Sequence, residues 1–160
     1  MIRLFVMDVD GTMTDGGILM DGRGNEWKRF DVKDGMGIAR LKRSGVELCI
    51  ISGRPSKATA ARAEELGIKR VYQGVGDKFA LLKDVAYEMS LSPQEIAYIG
   101  DDVNDVECLK WAGLSFAPSD ALVEAKEAAD VVTPSRGGYG AVRDASELIL
   151  QKNKDEGAFM

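Results

Sequence analysis

Histidine is absent from this 160-residue chain, and its absence removes whole classes of chemistry. Without histidine there is no Ser-His-Asp triad, no Cys-His pair and no zinc site with histidine ligands. Cysteine is also scarce: Cys49 and Cys108 are the only two, too few for a disulfide framework or a cysteine-ligated metal site. Any catalysis must therefore depend on carboxylates, hydroxyls, lysine, arginine and a metal ion that prefers oxygen ligands.

Excess positive charge and long apolar runs are missing as well. The 26 acidic residues outnumber 21 basic ones, for a net charge of −5, which argues against a nucleic-acid-binding protein. No apolar run approaches the ~18 residues that span a bilayer, and Asp8 comes too early for a secretory signal. We therefore expect a cytoplasmic protein that binds neither nucleic acid nor membranes.

Short apolar runs alternate with longer stretches of helical periodicity along the chain. The strand candidates are Ile2–Val9, Val46–Ile51, Arg70–Gln73, Ile96–Ile99, Leu114–Phe116 and Val131–Val132. The helix candidates are Met36–Ser44, Ser56–Leu66, Asp77–Met89, Val103–Trp111, Ala121–Ala128 and Ala141–Lys152. This alternation predicts an α/β fold, a Rossmann-like doubly wound parallel sheet with helices on both faces.

Residues 16–31 do not follow this alternation of strands and helices. They alternate in polarity around Asp21-Gly22-Arg23-Gly24, which predicts a β-hairpin flap that rises from the end of the first strand. No repeat, low-complexity segment or linker divides the chain. We expect a single domain over residues 1–152 and a polar C-terminal tail over residues 153–160.

Two carboxylates, Asp8 and Asp10, end the first predicted strand and are followed by Gly11. The C-terminal edge of an open α/β sheet is where ligands bind. Carboxylates this close repel each other unless a cation is present, and Mg²⁺ fits such a site. An EF-hand is excluded because its sixth and twelfth positions hold Met13 and Leu19 in place of glycine and glutamate. A solvated acidic turn is the structural alternative.

A second acidic cluster, Asp101, Asp102 and Asp105, directly follows the predicted strand over residues 96–99. Acidic residues also cap helix N-termini, so capping is an alternative role for Asp102 and Asp105. Capping does not explain why two acidic clusters end two strands of one sheet. The pattern favours one carboxylate-rich site.

Two further segments are candidates for binding an anion. Ser52, Gly53 and Arg54 follow the second predicted strand, where a hydroxyl and free backbone N–H groups suit a phosphate. Lys78 stands in the first turn of a predicted helix, a position unfavourable for a cation unless it has an anionic partner. Taken alone, Ser52 fits a helix cap better than a phosphate contact, and Lys78 fits a solvated lysine.

Together the motifs at Asp8 and Asp10, at Ser52, at Lys78 and at Asp101 to Asp105 resemble the four ordered motifs of the haloacid dehalogenase superfamily. The resemblance runs the length of the chain, and it implies a member without a cap domain, because the segments between Thr14 and Ser52 and between Ser52 and Lys78 are too short to hold one. It implies a phosphatase in which Asp8 attacks phosphorus to form an aspartyl phosphate. Asp10 would protonate the leaving group and then activate water.

The same resemblance implies ligand roles for the other motif residues. Mg²⁺ would be bound by Asp8, the backbone carbonyl of Asp10, and Asp101, with Asp102 and Asp105 behind these ligands. The implied phosphate and substrate contacts are Thr14, Ser52, Gly53, Arg54 and Lys78.

Finer segments, at residues 25–30, 34–38, 72–74 and 137–143, resemble the 3-deoxy-2-ulosonate phosphate phosphatases of that superfamily. The resemblance implies a small phosphorylated sugar acid as substrate and a homotetramer in which flap and tail approach neighbouring sites. Tyr139 and Arg143 are candidates for that contact, although packing at a helix start would also explain them.

Two substrates fit this branch. Arg54, which can bind a carboxylate, looks more like the branch that hydrolyses 3-deoxy-D-manno-octulosonate (KDO) 8-phosphate. The flap around Asn25 to Lys28 looks more like the branch acting on nonulosonate (KDN or N-acylneuraminate) 9-phosphates. We expect the first, because Arg54 should lie nearer the substrate. A surface ion pair of Arg54 with Glu64 or Glu65 is the alternative.

Functions of other classes are also compatible with clustered carboxylates. A phosphoacceptor receiver domain gathers acids, a hydroxyl and a lysine at one sheet edge, but it carries its acceptor on a later strand. A regulatory subunit without catalysis is a second alternative. All motif residues are present, so nothing in the sequence indicates lost activity.

Overall fold

The computed structural model describes residues 1–157 of the chain. Eight strands and six α-helices occur in these residues. In chain order they are β1 (Leu4–Met7), β2 (Leu19–Met20), β3 (Glu26–Trp27), α1 (Val32–Arg43), β4 (Glu47–Ile51), α2 (Lys57–Leu66), β5 (Arg70–Tyr72), α3 (Lys78–Glu88), β6 (Ile96–Ile99), α4 (Val106–Trp111), β7 (Leu114–Ala117), α5 (Val123–Ala128), β8 (Val131–Val132) and α6 (Ala141–Gly157). Short 3₁₀ turns at Pro93–Glu95 and Val103–Asp105 precede β6 and α4.

Six of the strands form one parallel sheet in the order β5-β4-β1-β6-β7-β8. Counted along the chain, this is the Rossmann order 3-2-1-4-5-6, whereas receiver domains have the order 2-1-3-4-5. The sheet topology therefore excludes the receiver alternative. The strand order reverses at β1, so the ligand crevice expected at such a switch point lies between the C-terminal ends of β1 and β6.

The sheet is buried on both faces, which explains the near-continuous apolar composition of its strands. In β1, Phe5 and Met7 pack into one core with α1 and α6 residues, while Leu4 and Val6 pack into a second core beneath α3 and α4. All four side chains are fully buried. The predicted doubly wound α/β fold is confirmed.

The flap is the small antiparallel hairpin β2–β3, closed by the turn at Asp21. The Asp21 side chain accepts hydrogen bonds from the backbone N–H groups of Arg23 and Asn25 and so fixes the turn. Only this flap and α1 separate β1 from β4, so no cap domain is inserted there. Among the helices of residues 1–157, none is long and apolar enough to cross a membrane.

The predicted C-terminal tail is helical where it is described, because α6 continues to Gly157. Asn153 exchanges two side-chain hydrogen bonds with the backbone of Ile2, at 2.7 and 2.8 Å. Lys152 and Glu156 form an ion pair one helical turn apart. These contacts stabilise the last turn of α6. Sequence periodicity did not predict this turn because its residues are polar. The last three residues of the predicted tail lie outside the described part of the chain.

A buried carboxylate joins α1 to α6. Asp34 of α1 is 2% exposed, and its Oδ1 accepts the backbone N–H of Arg143 in the first turn of α6 at 2.9 Å. Its Oδ2 has no hydrogen-bond partner among the described residues. Burial, with the nearby charges of Asp31 and Asp144, raises the pKa of Asp34 to about 7 although the Arg143 hydrogen bond opposes this.

Asp34→Asn should therefore change how stability depends on pH. The folded chain binds the Asp34 proton more tightly than the unfolded chain, so this group lowers the free energy of unfolding as pH rises from about 4 through 7. An asparagine lacks this penalty. From pH 5 to pH 8, the free energy of unfolding of the variant should rise by roughly 1 to 3 kcal/mol relative to that of wild type, judged from ~1.4 kcal/mol per pKa unit. Urea unfolding at both pH values measures this; an equal difference at both would contradict it.

Candidate active site

A cleft of about 390 Å³ opens at the C-terminal edge of the sheet, at the predicted switch point. The loops that follow β1, β4, β5 and β6 meet there. Eight of the predicted site residues share its wall, together with Val75 and Asn104: Asp8, Asp10, Ser52, Gly53, Arg54, Lys78, Asp101 and Asp102. The two predicted site residues outside this lining are Asp105, which lies directly behind it, and Thr14.

Lys78 and three carboxylates form the buried floor of this cleft. Carboxylate oxygens of Asp8, Asp101 and Asp105 lie within 4.8 Å of one another. Nζ of Lys78 donates to Oδ1 of Asp8 at 2.8 Å and to Oδ1 of Asp105 at 2.9 Å. Lys78 is only 3% exposed, so the alternative of a solvated lysine is excluded.

The pKa values of this cluster show a local excess of negative charge. Burial, and next the charge of Asp105, raises the pKa of Asp8 even though Lys78 opposes the shift. Burial and the neighbouring Asp8 raise the pKa of Asp101 to about 9. Burial would lower the pKa of Lys78, but the two carboxylates outweigh it and raise that pKa. One lysine does not balance the negative charge of three carboxylates, whereas an added cation would. Carboxylate oxygens are the ligands that Mg²⁺ prefers.

Asp105 is the most completely bonded member of the cluster. Its Oδ1 accepts from Lys78 and, at 2.5 Å, from the buried hydroxyl of Tyr98. Its Oδ2 accepts the backbone N–H groups of Asp101 and Asp102 at 3.1 and 3.2 Å. Asp105 is therefore occupied in orienting Lys78 and the Asp101 loop; its place behind the metal ligands stays a prediction.

Asp102 caps a helical turn, which is the alternative role considered for it. Its side chain accepts the backbone N–H of Val103 at 2.6 Å and so caps the 3₁₀ turn that leads into α4. The residue is exposed at the rim of the cleft. Capping and a place beside the site are compatible, because the turn begins at the end of β6.

Gly11 makes the close approach of the two acidic loops possible. Its φ of +83° lies in the left-handed region, and a Cβ there would stand 1.9 Å from Oδ2 of Asp101. Any larger residue would force the Asp101 carboxylate away from Asp8. This explains the glycine that follows Asp10 in the motif.

Ser52 does not cap α2, contrary to the alternative that its position suggested. The cap is Ser56, whose hydroxyl accepts the backbone N–H of Thr59. Ser52 is 1% exposed, and its hydroxyl instead contacts the backbone of Arg54 within a tight turn. It lines the cleft beside Gly53, as a phosphate contact would require.

Thr14 is the predicted contact that the structure does not bring into the cleft. It is fully buried, and its hydroxyl accepts the backbone N–H groups of Gly11 at 3.3 Å and Gly16 at 3.1 Å. The chain turns back on itself after Gly11, so Thr14 lies beneath the loop. Its hydroxyl stabilises the loop that carries Asp8 and Asp10.

Two flap residues, Glu26 and Lys28, contact side chains that line the cleft, and neither was predicted as a site residue. Nζ of Lys28 donates to Oδ1 of Asp10 at 2.6 Å, and the Lys28 side chain is fully buried. Glu26 binds the guanidinium of Arg54 at 2.7 Å. The flap thus closes over the site of its own protomer, and Arg54 pairs with Glu26 rather than with Glu64 or Glu65.

Strand periodicity could have indicated this arrangement. Glu26 in β3 and Lys28 directly after β3 share one side of the hairpin, while Trp27, 53% exposed, points to the other. Once the hairpin is placed beside β1, the charged side must face the carboxylates. What the sequence could not supply is the tilt of the hairpin, which decides whether these side chains reach Asp10 and Arg54.

Comparison with known proteins agrees with this geometry. Residues 70–145 match a family of haloacid dehalogenase-like hydrolases. The 3-deoxy-D-manno-octulosonate 8-phosphate phosphatase of Yersinia pestis is 43% identical over 158 residues, 98% of this chain and 84% of that protein. The Escherichia coli K12 phosphatase of the same name is 41% identical over 93% of this chain and 79% of its own length.

Solved structures show the same relationship. The 3-deoxy-D-manno-octulosonate 8-phosphate phosphatase of Moraxella catarrhalis, in complex with magnesium, phosphate and KDO, has a TM-score of 0.93 at 40% identity, covering 99% of this chain and 91% of that one. A cobalt-bound enzyme from Haemophilus influenzae has a TM-score of 0.90 at 37% identity, covering 94% and 88%. The chain belongs to the family of 3-deoxy-D-manno-octulosonate 8-phosphate phosphatases, phosphoric monoester hydrolases of the haloacid dehalogenase type.

Proposed function

We propose that this protein hydrolyses KDO 8-phosphate to KDO and phosphate with Mg²⁺ as cofactor. The observation that carries the proposal is the buried pairing of Asp8 with Lys78 beside Asp101, at the end of β1. This arrangement offers a carboxylate nucleophile, a fixed cation and room for a metal ion. The relatives named above act on this substrate according to their names, and one holds Mg²⁺, phosphate and KDO.

In the first half of the reaction, a carboxylate oxygen of Asp8 attacks phosphorus and the ester P–O bond breaks. The leaving alkoxide of the sugar takes a proton from Asp10, which lines the same cleft. Lys78 holds a phosphate oxygen and stabilises the charge that builds up on the transferring group. The product of this half is KDO, and Asp8 carries the phosphoryl group.

In the second half, the Asp10 carboxylate accepts a proton from water while the water oxygen attacks phosphorus. The bond between phosphorus and the Asp8 oxygen breaks, which restores the carboxylate and releases phosphate. Lys28, 2.6 Å from Oδ1 of Asp10, fixes the orientation of that side chain. No histidine is needed in either half.

Mg²⁺ would be held by Asp8, the backbone carbonyl of Asp10, and Asp101, where it would offset repulsion between the carboxylates and the phosphate. The high pKa of Asp101, about 9 because of burial and its neighbours, supports a cation beside it. Ser52 and Gly53 supply the hydroxyl and backbone N–H groups that bind the remaining phosphate oxygens. Arg54 is placed to bind the carboxylate of the sugar acid.

Replacing Asp10 by Asn separates a working phosphatase from a regulatory domain that only binds the sugar phosphate. The change should lower kcat for KDO 8-phosphate by roughly 10²- to 10⁴-fold, the usual size of a general acid–base contribution. With p-nitrophenyl phosphate, the rate of the first half of the reaction should fall less, because that leaving group needs no proton. Phosphate release measures both. Binding of KDO 8-phosphate without turnover in the wild-type protein would contradict the proposal.

We further propose that the protein is a homotetramer in which flaps meet neighbouring subunits, and that it acts in the cytoplasm. The outer side of the flap supports contact with other subunits: Leu19 and Trp27, cross-strand partners on that side, are 66% and 53% exposed. Apolar side chains grouped in this way are typical of protein interfaces. The free thiols of Cys49 and Cys108, both buried, fit a reducing compartment.

Charge on the outer side of the flap should disrupt the assembly. The double variant Leu19→Lys, Trp27→Lys should sediment with a mass well below that of wild type, because burying two ammonium groups opposes association. Tyr87→Lys is the matched control, since Tyr87 is 89% exposed on α3, away from the flap. Analytical ultracentrifugation measures the three proteins. An unchanged mass for the double variant would contradict the flap interface.

A further inference from the structure

We propose that Glu26 of the flap competes with the carboxylate of the substrate for Arg54, and so sets how tightly a phosphorylated sugar acid binds. The inference rests on the proposed function, which gives Arg54 a substrate carboxylate as partner. It assigns to the flap residue a role in affinity that neither the motif pattern nor the metal site requires.

The contact itself is well defined. Nη2 of Arg54 donates to Oε2 of Glu26 at 2.7 Å, and the Glu26 side chain is 13% exposed, whereas that of Arg54 is 45% exposed. The Arg54 hydrogen bond lowers the pKa of Glu26, so Glu26 is a carboxylate. A guanidinium binds carboxylates in one planar geometry, and Glu26 has the group that the substrate would bring.

A sugar acid phosphate bound in this cleft would bring a second carboxylate to Arg54. Arg54 follows Ser52 and Gly53 directly, and all three line the cleft that contains Asp8. A ligand with its phosphate at Asp8 and its carboxylate directed toward Arg54 meets the Glu26 carboxylate there. Two carboxylates on one guanidinium repel each other, so each weakens the binding of the other.

Glu26 has a second cationic neighbour, Lys28, with which it can stay paired when it leaves Arg54. Its second oxygen, Oε1, is buried without a hydrogen-bond partner among residues 1–157, and it lies 3.5 Å from Nζ of Lys28. Lys28 keeps its separate bond to Asp10, so the flap stays attached when Glu26 leaves Arg54.

Glu26→Gln tests the inference because the change keeps the shape of the side chain and removes its charge. The variant should have a KM for KDO 8-phosphate roughly three- to tenfold lower than wild type, since Arg54 becomes more available. For p-nitrophenyl phosphate, which has no carboxylate, the KM should stay within about twofold by the same reasoning. Glu65→Gln is the matched control: Glu65 also pairs with an arginine, Arg62, on the exposed side of α2, and should change neither value.

A second variant shows whether Arg54 carries the effect. In an Arg54→Met background, which should itself raise the KM for KDO 8-phosphate, Glu26→Gln should no longer lower it. The inference is overturned if Glu26→Gln leaves the KM for KDO 8-phosphate unchanged or raises it, or if both substrates change equally. It is also overturned if the decrease persists without Arg54. Failure of wild type to hydrolyse KDO 8-phosphate would contradict the proposed function. Normal turnover by wild type, with the same ratio of KM values for the two substrates in Glu26→Gln, would contradict this inference alone.

Discussion

Asp8→Asn is expected to abolish phosphate release, with kcat lower by roughly 10⁴-fold or more, on the scale seen when a catalytic nucleophile is removed. An amide oxygen is a poor nucleophile, and the variant cannot form the aspartyl phosphate. The fold should be unaffected, because asparagine has the same shape and still offers an oxygen to Lys78, 2.8 Å away. Removing one of three clustered carboxylates should also leave thermal stability equal to or above that of wild type.

The experiment compares phosphate release and thermal unfolding for wild type, Asp8→Asn and a control. Asp15→Asn is suitable as the control, because Asp15 lies in the same loop but is exposed and bonds only the backbone N–H of Gly17. The control should keep wild-type turnover. Substantial turnover by Asp8→Asn would remove Asp8 from its role as nucleophile.

Removal of divalent metal is the second large effect. In a chelator such as EDTA, turnover should fall by roughly 10³-fold or more, the rate equivalent of several kcal/mol of transition-state charge stabilisation. Excess Mg²⁺ should restore it. The cause lies in the floor of the cleft, where the carboxylates of Asp8 and Asp101 would face an anionic phosphate and the charge of Lys78 does not balance them.

Metal binding can also be measured without turnover. Mg²⁺ should raise the Tm of wild type, because a ligand that binds the folded state stabilises it. Asp101→Asn should lose most of this increase, whereas Asp15→Asn should retain it. Undiminished rates in chelator, or an equal Mg²⁺-dependent increase in Tm for Asp101→Asn, would contradict the metal assignment.

The fold could be predicted from the sequence because its strands are buried on both faces. Such strands are continuous apolar runs, and β6 and β8 begin and end where the sequence predicted. The continuation of α6 was missed for the opposite reason. Its last turn is polar and is held by contacts with Ile2, which lies far away in sequence.

The site was predictable where its side chains stand at strand ends or, for Lys78, at the start of the helix that follows a strand. Asp8, Asp101 and Lys78 meet because β1, β5 and β6 end at one edge of a parallel sheet. Thr14 lies beyond a left-handed turn at Gly11, and a motif position alone does not show which way the chain folds back. The flap contacts of Lys28 depend on the orientation of a hairpin, which local sequence does not determine.

Substrate preference is the most direct test of the account. Phosphate release should be measured with Mg²⁺ from KDO 8-phosphate and from a nonulosonate 9-phosphate in parallel, with kcat/KM determined for each. We predict a clear preference for KDO 8-phosphate, in agreement with Arg54 and with the family to which the chain belongs. Preference for the nonulosonate, or turnover of neither compound, would contradict the proposed function.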